Sequence, residues 1–529
     1  MAIKRRSWIF IPTLLAGCAI AGGIFGPRVQ IASAATSDDD VRNSMKEFTR
    51  VYDTVEQNFA DPVNADKAIY NGAIPGMLRT LDPHSNFFDP KALALMREDQ
   101  QGRYYGIGMT VVGRNGKVIV VAPFVDSPAY KAGLKPNDIL VEINGKSTDG
   151  LDSAKVADLL KGPRGTPVVV KVTREGAEQP IAFTIVRDEI NRKSVPISFL
   201  LKPGIGYVKV EQFNETTSHE FEESLKAMDE DHLKGLVIDL RGNPGGLLNE
   251  AVAIGDHLLP KGEVIVSHKG RASAERVYTA RNGNHGRNYP IVVIVNRNSA
   301  SASEIVSGAL QDHDRAWILG DNTFGKGLVQ TVFPIVENTA LALTTAKYYT
   351  PSGRLIQRDY SNVSFFDYYY RNNTATRNAN DVKMTDGGRT VYGGGGISPD
   401  EKFTPAKLDA LETKLLISFS FPNYTKHFFA LHHEKLPENW NADDKTMNEF
   451  HAWLLEQKLD FTEAEFTQDY QWVEHRLQSE IYKTGFNIEA SDRYEIRIDP
   501  EVEAAVNALP KATALLANAK KILAERVKK

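Results

Sequence analysis

Three short segments of this chain carry residues whose types and spacing could perform acyl-transfer chemistry. The first is Asn296-Arg-Asn-Ser299-Ala300-Ser301-Ala302-Ser303-Glu304-Ile305. It follows the apolar run Ile291–Val295 and opens a helical pattern, so it reads as a strand-to-helix turn of small residues. A hydroxyl there stands at the positive end of a helix, where an attacking alkoxide or an oxyanion is favoured. Serine is also a leading N-cap, so taken alone this segment reads first as a capped helix start. The second segment is Gly320-Asp-Asn-Thr-Phe-Gly325-Lys326-Gly327. It imitates a phosphate-binding loop, but Gly327 stands where that loop needs a hydroxyl for Mg²⁺, which argues against nucleotide binding. What remains is a lysine flanked by glycines. In a poorly solvated loop such a lysine gives up its proton more readily and becomes a usable base. A Ser–Lys pair can carry out acyl transfer without histidine. The third segment is Asp239-Leu-Arg-Gly-Asn-Pro-Gly-Gly246, at the end of another apolar run. The N–H groups of Gly245 and Gly246 could approach a substrate carbonyl closely, as an oxyanion hole requires. Its plainer reading is a glycine-rich turn between a strand and a helix.

Positioning these groups needs a scaffold. Gly235–Leu240 and Ile291–Val295 are nearly continuous apolar runs, which suit strands buried on both faces of an α/β sheet. Leu247–Leu259 and Ser303–Asp312 read as the helices between such strands. Upstream, Val41, Met45, Phe48, Val51, Tyr52, Val55 and Phe59 recur at helical spacing. Further helices are expected over 65–81 and after Asp89-Pro90. The stretch from Tyr360 to Gly396, rich in Tyr, Asn and Arg and ending in four glycines, reads as a surface insertion or flap. Beyond Lys407 the pattern is helical and charged. It ends in an amphipathic helix near Val502–Val527, suited either to a helical interface or to packing on the chain's own core.

Between Tyr104 and Arg187 the texture changes to short β-branched runs separated by turns. Tyr105-Gly106-Ile107-Gly108-Met109 precedes Asp126-Ser-Pro-Ala-Tyr-Lys-Ala-Gly133 and Leu134-Lys-Pro-Asn-Asp-Ile-Leu-Val-Glu-Ile-Asn-Gly145. Over about 103–188 this closely resembles a PDZ domain. The resemblance implies a terminal-carboxylate turn at Gly106, Ile107 and Gly108, beside a strand edge that pairs with an extended peptide. The two glycines alone would also serve a tight turn.

The chain has 529 residues and a net charge of −4, with 42% hydrophobic and 25% charged residues. That excludes a disordered chain and gives no basic field for nucleic acid. Its one cysteine, Cys18, lies in the N-terminal apolar stretch, so the folded part has no disulfide, cysteine nucleophile or cysteine zinc site. Lys4, Arg5 and Arg6, the apolar run Trp8–Phe25 and Ala32-Ser-Ala34 have the layout of a signal peptide, with an uncleaved anchor as the alternative. Leu15-Ala-Gly-Cys18 also resembles a lipoprotein box. Export to the bacterial periplasm or cell envelope is expected, with membrane contact only through residues 8–25. The scattered histidines, His84 and the pair His432-His433 among them, lack zinc-ligand spacing; no metal and no cofactor are expected.

Together "LDPHSNFF", "DLRGNPGG", "SASASEI", "TFGKGLVQ", "YYTPSGR" and "GGISPD" strongly resemble the carboxyl-terminal processing peptidases, or tail-specific proteases, over about 40–402. The resemblance implies an α+β multidomain protein. Residues 1–35 are the signal or anchor and 36–102 a helical region. Residues 103–188 form the PDZ module, 189–402 an α/β peptidase core of the crotonase/ClpP type with an insertion at about 360–396, and 403–529 a helical extension. It implies Ser301 as nucleophile, Lys326 as general base and Gln330 orienting the lysine. It also implies an oxyanion hole from the N–H of Ala302 and that of Gly245 or Gly246. The substrates would be proteins with free C-termini, docked by the PDZ module, which also gates the site. An adaptor and a homo-oligomer are further partners to test. The rival reading is a non-catalytic PDZ scaffold on a peptidase fold, since fold alone does not guarantee activity.

Overall fold

The computed structural model describes residues 38–527 apart from 337, 362, 371–380, 433, 434 and 438. The signal or anchor expected over residues 1–35 lies outside the described residues. Among those described, no helix is long and apolar enough to cross a membrane.

The chain divides into two units, residues 1–78 and 79–529. In the first, α1 spans Asp38–Asn58, and a helical stretch over 65–79 carries a π-turn at Ile69–Ala73. The second begins with the strand β1 (Asn86–Phe88) and α2 (Pro90–Gln101), whose start is set by the Asp89 carboxylate accepting from the Ala92 N–H at 2.7 Å.

The PDZ module follows. A two-stranded ribbon pairs β2 (Arg103–Gly106) with β9 (Asp188–Asn191) and closes its base. Between them run β3 (Met109–Arg114), β4 (Lys117–Pro123), α3 (Pro128–Ala132), β5 (Ile139–Ile143), β6 (Lys146–Ser147), α4 (Ser153–Leu160), β7 (Pro167–Thr173) and β8 (Ile181–Val186). The sheet order is β3-β4-β5-β7-β8, which leaves β3 at an edge. Alternate side chains of β4 and β7, Val118, Val120, Val168, Val170 and Val172, are fully buried and form its core.

The region that follows is built on a six-stranded sheet. Its strands are β10 (Ile197–Lys202), β11 (Ile205–Lys209), β12 (Gly235–Asp239), β15 (Ile291–Val295), β16 (Ala316–Gly320) and β21 (Glu401–Lys402). They lie in that order, parallel from β11 onward. Three helices, α5 (Thr217–Ala227), α6 (Leu248–Leu258) and α7 (Ala302–Asp312), cover one face. A second sheet holds β13 (Val264–Lys269), β14 (Arg276–Thr279), β17 (Leu328–Pro334) and β18 (Ala340–Tyr349), with β1 paired to β18. Next come α8 (Phe365–Tyr370) and the hairpin β19 (Val382–Met384) with β20 (Thr390–Tyr392).

The C-terminal region divides in two. An aromatic-rich bundle comprises α9 (Ala410–Ile417), α10 (Ser420–Leu431), α11 (Asp444–Glu456), α12 (Glu463–Gln468) and α13 (Tyr470–Gly485), around Phe421, Tyr424, Phe450 and Leu477. Then α14 (Ile488–Ile498) leads into α15 (Pro500–Val527). Val502, Ala505, Leu509 and Ala512 of α15 share a core with Tyr207, Val237, Val292, Ile294 and Leu319 of the main sheet. The last helix is therefore the cover of the main sheet's second face. Strands apolar on both faces require such a cover, so of the two roles open to this helix, packing on its own core is the one adopted.

Candidate active site

Ser301 stands at the turn between β15 and α7, with φ 56° and ψ −111°. A side chain in that region of backbone space costs about 1–3 kcal/mol and persists only where its surroundings hold it. Those surroundings are visible. Ala302, next in the chain, is fully buried at the first position of α7. Ser299 and Ser303 are also fully buried and serve structure: the Ser299 hydroxyl donates to Leu240 O at 2.8 Å and the Ser303 hydroxyl to Asn243 O at 3.0 Å. Ser301 is the partly exposed one of the three.

Glu304, one turn into α7, ties the segment together. Its Oε2 accepts the Ser301 N–H at 2.8 Å and the Lys326 N–H at 2.9 Å. Its Oε1 accepts the Gly325 N–H at 2.7 Å and the Thr323 hydroxyl. Burial raises its pKa, against the pull of these four donors. The sequence reading missed this residue as part of the site. The pattern Ser301-x-x-Glu304 was its signal, because a glutamate three residues after a helix cap reaches back to the cap N–H.

Lys326 follows in the loop between β16 and β17. Burial lowers the pKa of its amine, while the negative charges of Glu304 and Asp82 oppose the shift. The Tyr348 hydroxyl, from β18, donates between the carbonyl oxygens of Ser301 (3.2 Å) and Lys326. The two backbones are thus joined on both their N–H and C=O sides. Their side chains make no hydrogen bond to each other among the described residues.

Gln330 lies on β17, where its amide donates to Thr344 Oγ1 at 3.3 Å and not to Lys326. Thr344 in turn donates its N–H to Ser85 Oγ at 3.1 Å. Ser85 belongs to a turn organised by Asp82, whose carboxylate accepts the N–H groups of His84 (2.7 Å) and Ser85 (2.8 Å). The turn around His84 is therefore capped by Asp82, and the imidazole has other partners. The Tyr369 hydroxyl donates to Pro83 O at 3.0 Å, so at 3.0 Å from His84 Nδ1 it can only accept. That leaves Nε2 to accept from the Tyr368 hydroxyl at 2.9 Å. Burial, with the nearby Lys326 charge, holds His84 neutral, its pKa lowered to about 4.

Tyr368 and Tyr369 belong to α8, inside the segment read as a surface insertion. Tyr368 is only 3% exposed. Its ring packs edge-on to Phe324, with the Arg358 guanidinium 4.1 Å from the ring centroid. Gln357, whose amide donates to the Tyr368 hydroxyl at 3.1 Å, accepts the Gly327 N–H at 2.8 Å. This part of the insertion is a fixed aromatic wall beside the lysine loop.

The Asp239–Gly246 turn comes directly against the serine. A Cβ on Gly245 would stand 2.6 Å from Ala300 O and 2.9 Å from Ala302 N, so only glycine fits. The Gly245 N–H already donates to Asn243 Oδ1 at 2.8 Å. Among the described residues neither the Gly246 N–H nor the Ala302 N–H donates to a protein acceptor. The start of the turn is pinned by charge. Buried Asp239 would by desolvation have a raised pKa, but Lys209 and Arg241 reverse this and bring it to about 2. Arg241 reaches on to Asp499 and Glu501 at the head of α15, each at 2.8 Å.

In the PDZ module, Gly106, Ile107 and Gly108 line one end of a small cavity of about 60 Å³, closed by Leu160 and Lys161 of the α4 end. Gly108 has φ 77°, and a Cβ there would meet Ser127 Cβ at 2.5 Å. The cavity runs on to Met109 and Val111 of edge strand β3. An open strand edge beside a glycine turn is the geometry of peptide addition.

The chain is similar in sequence to families already known. The model of peptidase family S41 matches residues 204–362, that of the PDZ domain residues 119–174, and that of the N-terminal domain of the activating protease CtpB residues 26–92. A carboxy-terminal-processing protease of Bartonella bacilliformis is 40% identical over 345 residues, 64% of this chain and 79% of that one. Carboxy-terminal processing protease CtpB of Bacillus subtilis is 34% identical over 331 residues, 62% of this chain and 68% of that one. A solved photosystem II D1 C-terminal processing protease is 28% identical and covers 69% of this chain and 88% of its own, at a TM-score of 0.36. On its sequence relatives, the chain belongs to the carboxy-terminal processing proteases of the S41 serine peptidase family.

Proposed function

We propose that this protein is a serine endopeptidase that cuts proteins at or near their C-termini with a Ser301–Lys326 pair. The observation that carries the reading is the shared Glu304 carboxylate, which holds a strained serine and a buried, pKa-lowered lysine in one frame. The neutral Lys326 amine takes the proton from Ser301 Oγ as that oxygen attacks the scissile carbonyl. The oxyanion is met by the Ala302 N–H at the head of α7 and by the Gly246 N–H, since that of Gly245 is engaged by Asn243. The leaving amine takes the proton back from Lys326. Water, deprotonated by the Lys326 amine, then attacks the acyl carbon, and Lys326 passes that proton to Ser301 Oγ as the C–Oγ bond breaks. Gln330 supports the lysine indirectly, through Thr344, Ser85 and Asp82.

In this reading the PDZ groove binds the substrate's terminal carboxylate at Gly106–Gly108 and its last residues along β3. Export across the membrane by the N-terminal segment follows from its basic, apolar and small-residue layout. The test is cleavage of an unfolded protein with a free C-terminus against the same protein with its terminal carboxyl amidated. The free form should be cut several-fold faster. Equal rates would remove the tail-docking role and leave the peptidase intact.

A further inference from the structure

Three side chains from distant segments converge at the far end of α7 from Ser301. His313 caps that end, Glu263 precedes β13, and Asp386 lies in the turn between β19 and β20. His313 Nδ1 is 2.7 Å from Asp386 Oδ2 and 3.2 Å from Glu263 Oε2, and the three groups' ligating atoms all lie within 4.8 Å of one another. The other ring nitrogen, Nε2, is 2.7 Å from the carbonyl oxygen of Val264. A carbonyl can only accept, so Nε2 carries a hydrogen. In the neutral ring Nδ1 then bears a lone pair, and that lone pair faces two carboxylate oxygens. Such an arrangement needs positive charge at its centre. A proton on Nδ1 can lie along only one of the two contacts, whereas a divalent ion meets all three ligands at once.

We propose that Glu263, His313 and Asp386 form a binding site for a divalent transition metal ion, zinc being the best match. One imidazole nitrogen and two carboxylates are borderline-soft and hard donors of the kind zinc takes, and their two negative charges neutralise the ion. Zinc–ligand distances of about 2.0–2.2 Å place tetrahedral ligands about 3.4 Å apart, so the ring and carboxylates need to open by less than 1 Å. A hydrogen bond from the remote ring nitrogen to a backbone carbonyl is the usual support of a metal-bound histidine. The carboxylates are about one-third exposed (29% and 34%), leaving a side of the site open to water as a fourth ligand.

The supports are already in place. The Asp386 N–H donates to Asp312 O at 2.8 Å, the Thr385 N–H to Arg389 O at 2.9 Å, and Arg389 is held by Asp314 and Asp400. The bound ion would clip the β19–β20 turn and the start of β13 to the helix that carries Ser301. Linear sequence spacing could not show the site, because its ligands come from three segments.

The test is zinc binding by the untagged, chelator-stripped whole chain, measured by competition with a chromogenic chelator beside Asp386→Asn and Glu263→Gln. One equivalent should bind to the wild type, at least tenfold more weakly in each variant, and zinc should raise the wild-type melting temperature more than theirs. Equal affinity in all three proteins, or no binding by the wild type, would overturn the site and leave an imidazolium ion-paired to two carboxylates.

Discussion

Ser301 and Lys326 hang their backbone N–H groups on a single oxygen, Glu304 Oε2, at 2.8 and 2.9 Å. Glu304→Gln should therefore damage both halves of the pair at once. The amide has one acceptor oxygen where the carboxylate has two, and its NH₂ would face N–H donors. Each orphaned donor costs about 1–3 kcal/mol. The expected result is a lower urea midpoint and at least a tenfold loss in kcat/KM, read by equilibrium unfolding and peptide cleavage. Wild-type stability and rate would show that the carboxylate is not the shared anchor.

The backbone at Ser301 stores strain that only a residue without a side chain relieves. Ser301→Ala keeps the Cβ and the strain, whereas Ser301→Gly removes both. Both should be inactive, but the glycine variant should melt no lower than the alanine variant, despite the greater freedom of glycine in the unfolded chain. Differential scanning calorimetry on the pair decides it.

As the proposed general base Lys326 would act only when neutral, so log(kcat/KM) should rise with pH and level off below 10.5, the ordinary lysine value from which burial lowers it. Lys326→Arg should be inactive, since the guanidinium keeps its proton. Stability has its own sign. The folded amine has the lower pKa, so between its value and 10.5 the unfolded chain binds more protons and stability rises with pH. Lys326→Met should be more stable than wild type near neutrality, with an advantage that shrinks across that window. Unfolding titrations at several pH values test this.

The last helix covers the main sheet's second face, so removing it should not free an active core. Deleting residues 500–529 strips the cover from Val237, Val292 and Ile294 and unpairs Arg241 from Glu501. The truncated chain should be insoluble or inactive. A milder probe is Leu509→Ala, which should cost about 2–5 kcal/mol without changing which bonds are cut. A soluble truncation with normal activity would contradict this assignment.

Much of this was legible in the residues. The runs Gly235–Leu240 and Ile291–Val295 announced a doubly buried sheet, and the small residues around Ser301 announced the turn at its edge. The glycines flanking Lys326 marked a tight loop, and Gly325 adopts φ 86°. What stayed hidden depends on tertiary partners. An amphipathic C-terminal helix looks the same whether it meets a sheet of its own chain or another protein. The tyrosines of α8 look like a polar insertion until His84, nearly three hundred residues earlier, meets Tyr368. Gln330 sits close to Lys326 in sequence, but strand geometry turns its amide to Thr344.

The central claim rests on one hydroxyl. The direct test is a time course of intact masses for an unfolded model protein incubated with residues 36–529 of the chain, wild type beside Ser301→Ala. The account predicts fragments from the wild type alone, beginning near the C-terminus, while the variant folds normally and leaves the substrate whole. Undiminished cleavage by purified Ser301→Ala would contradict it.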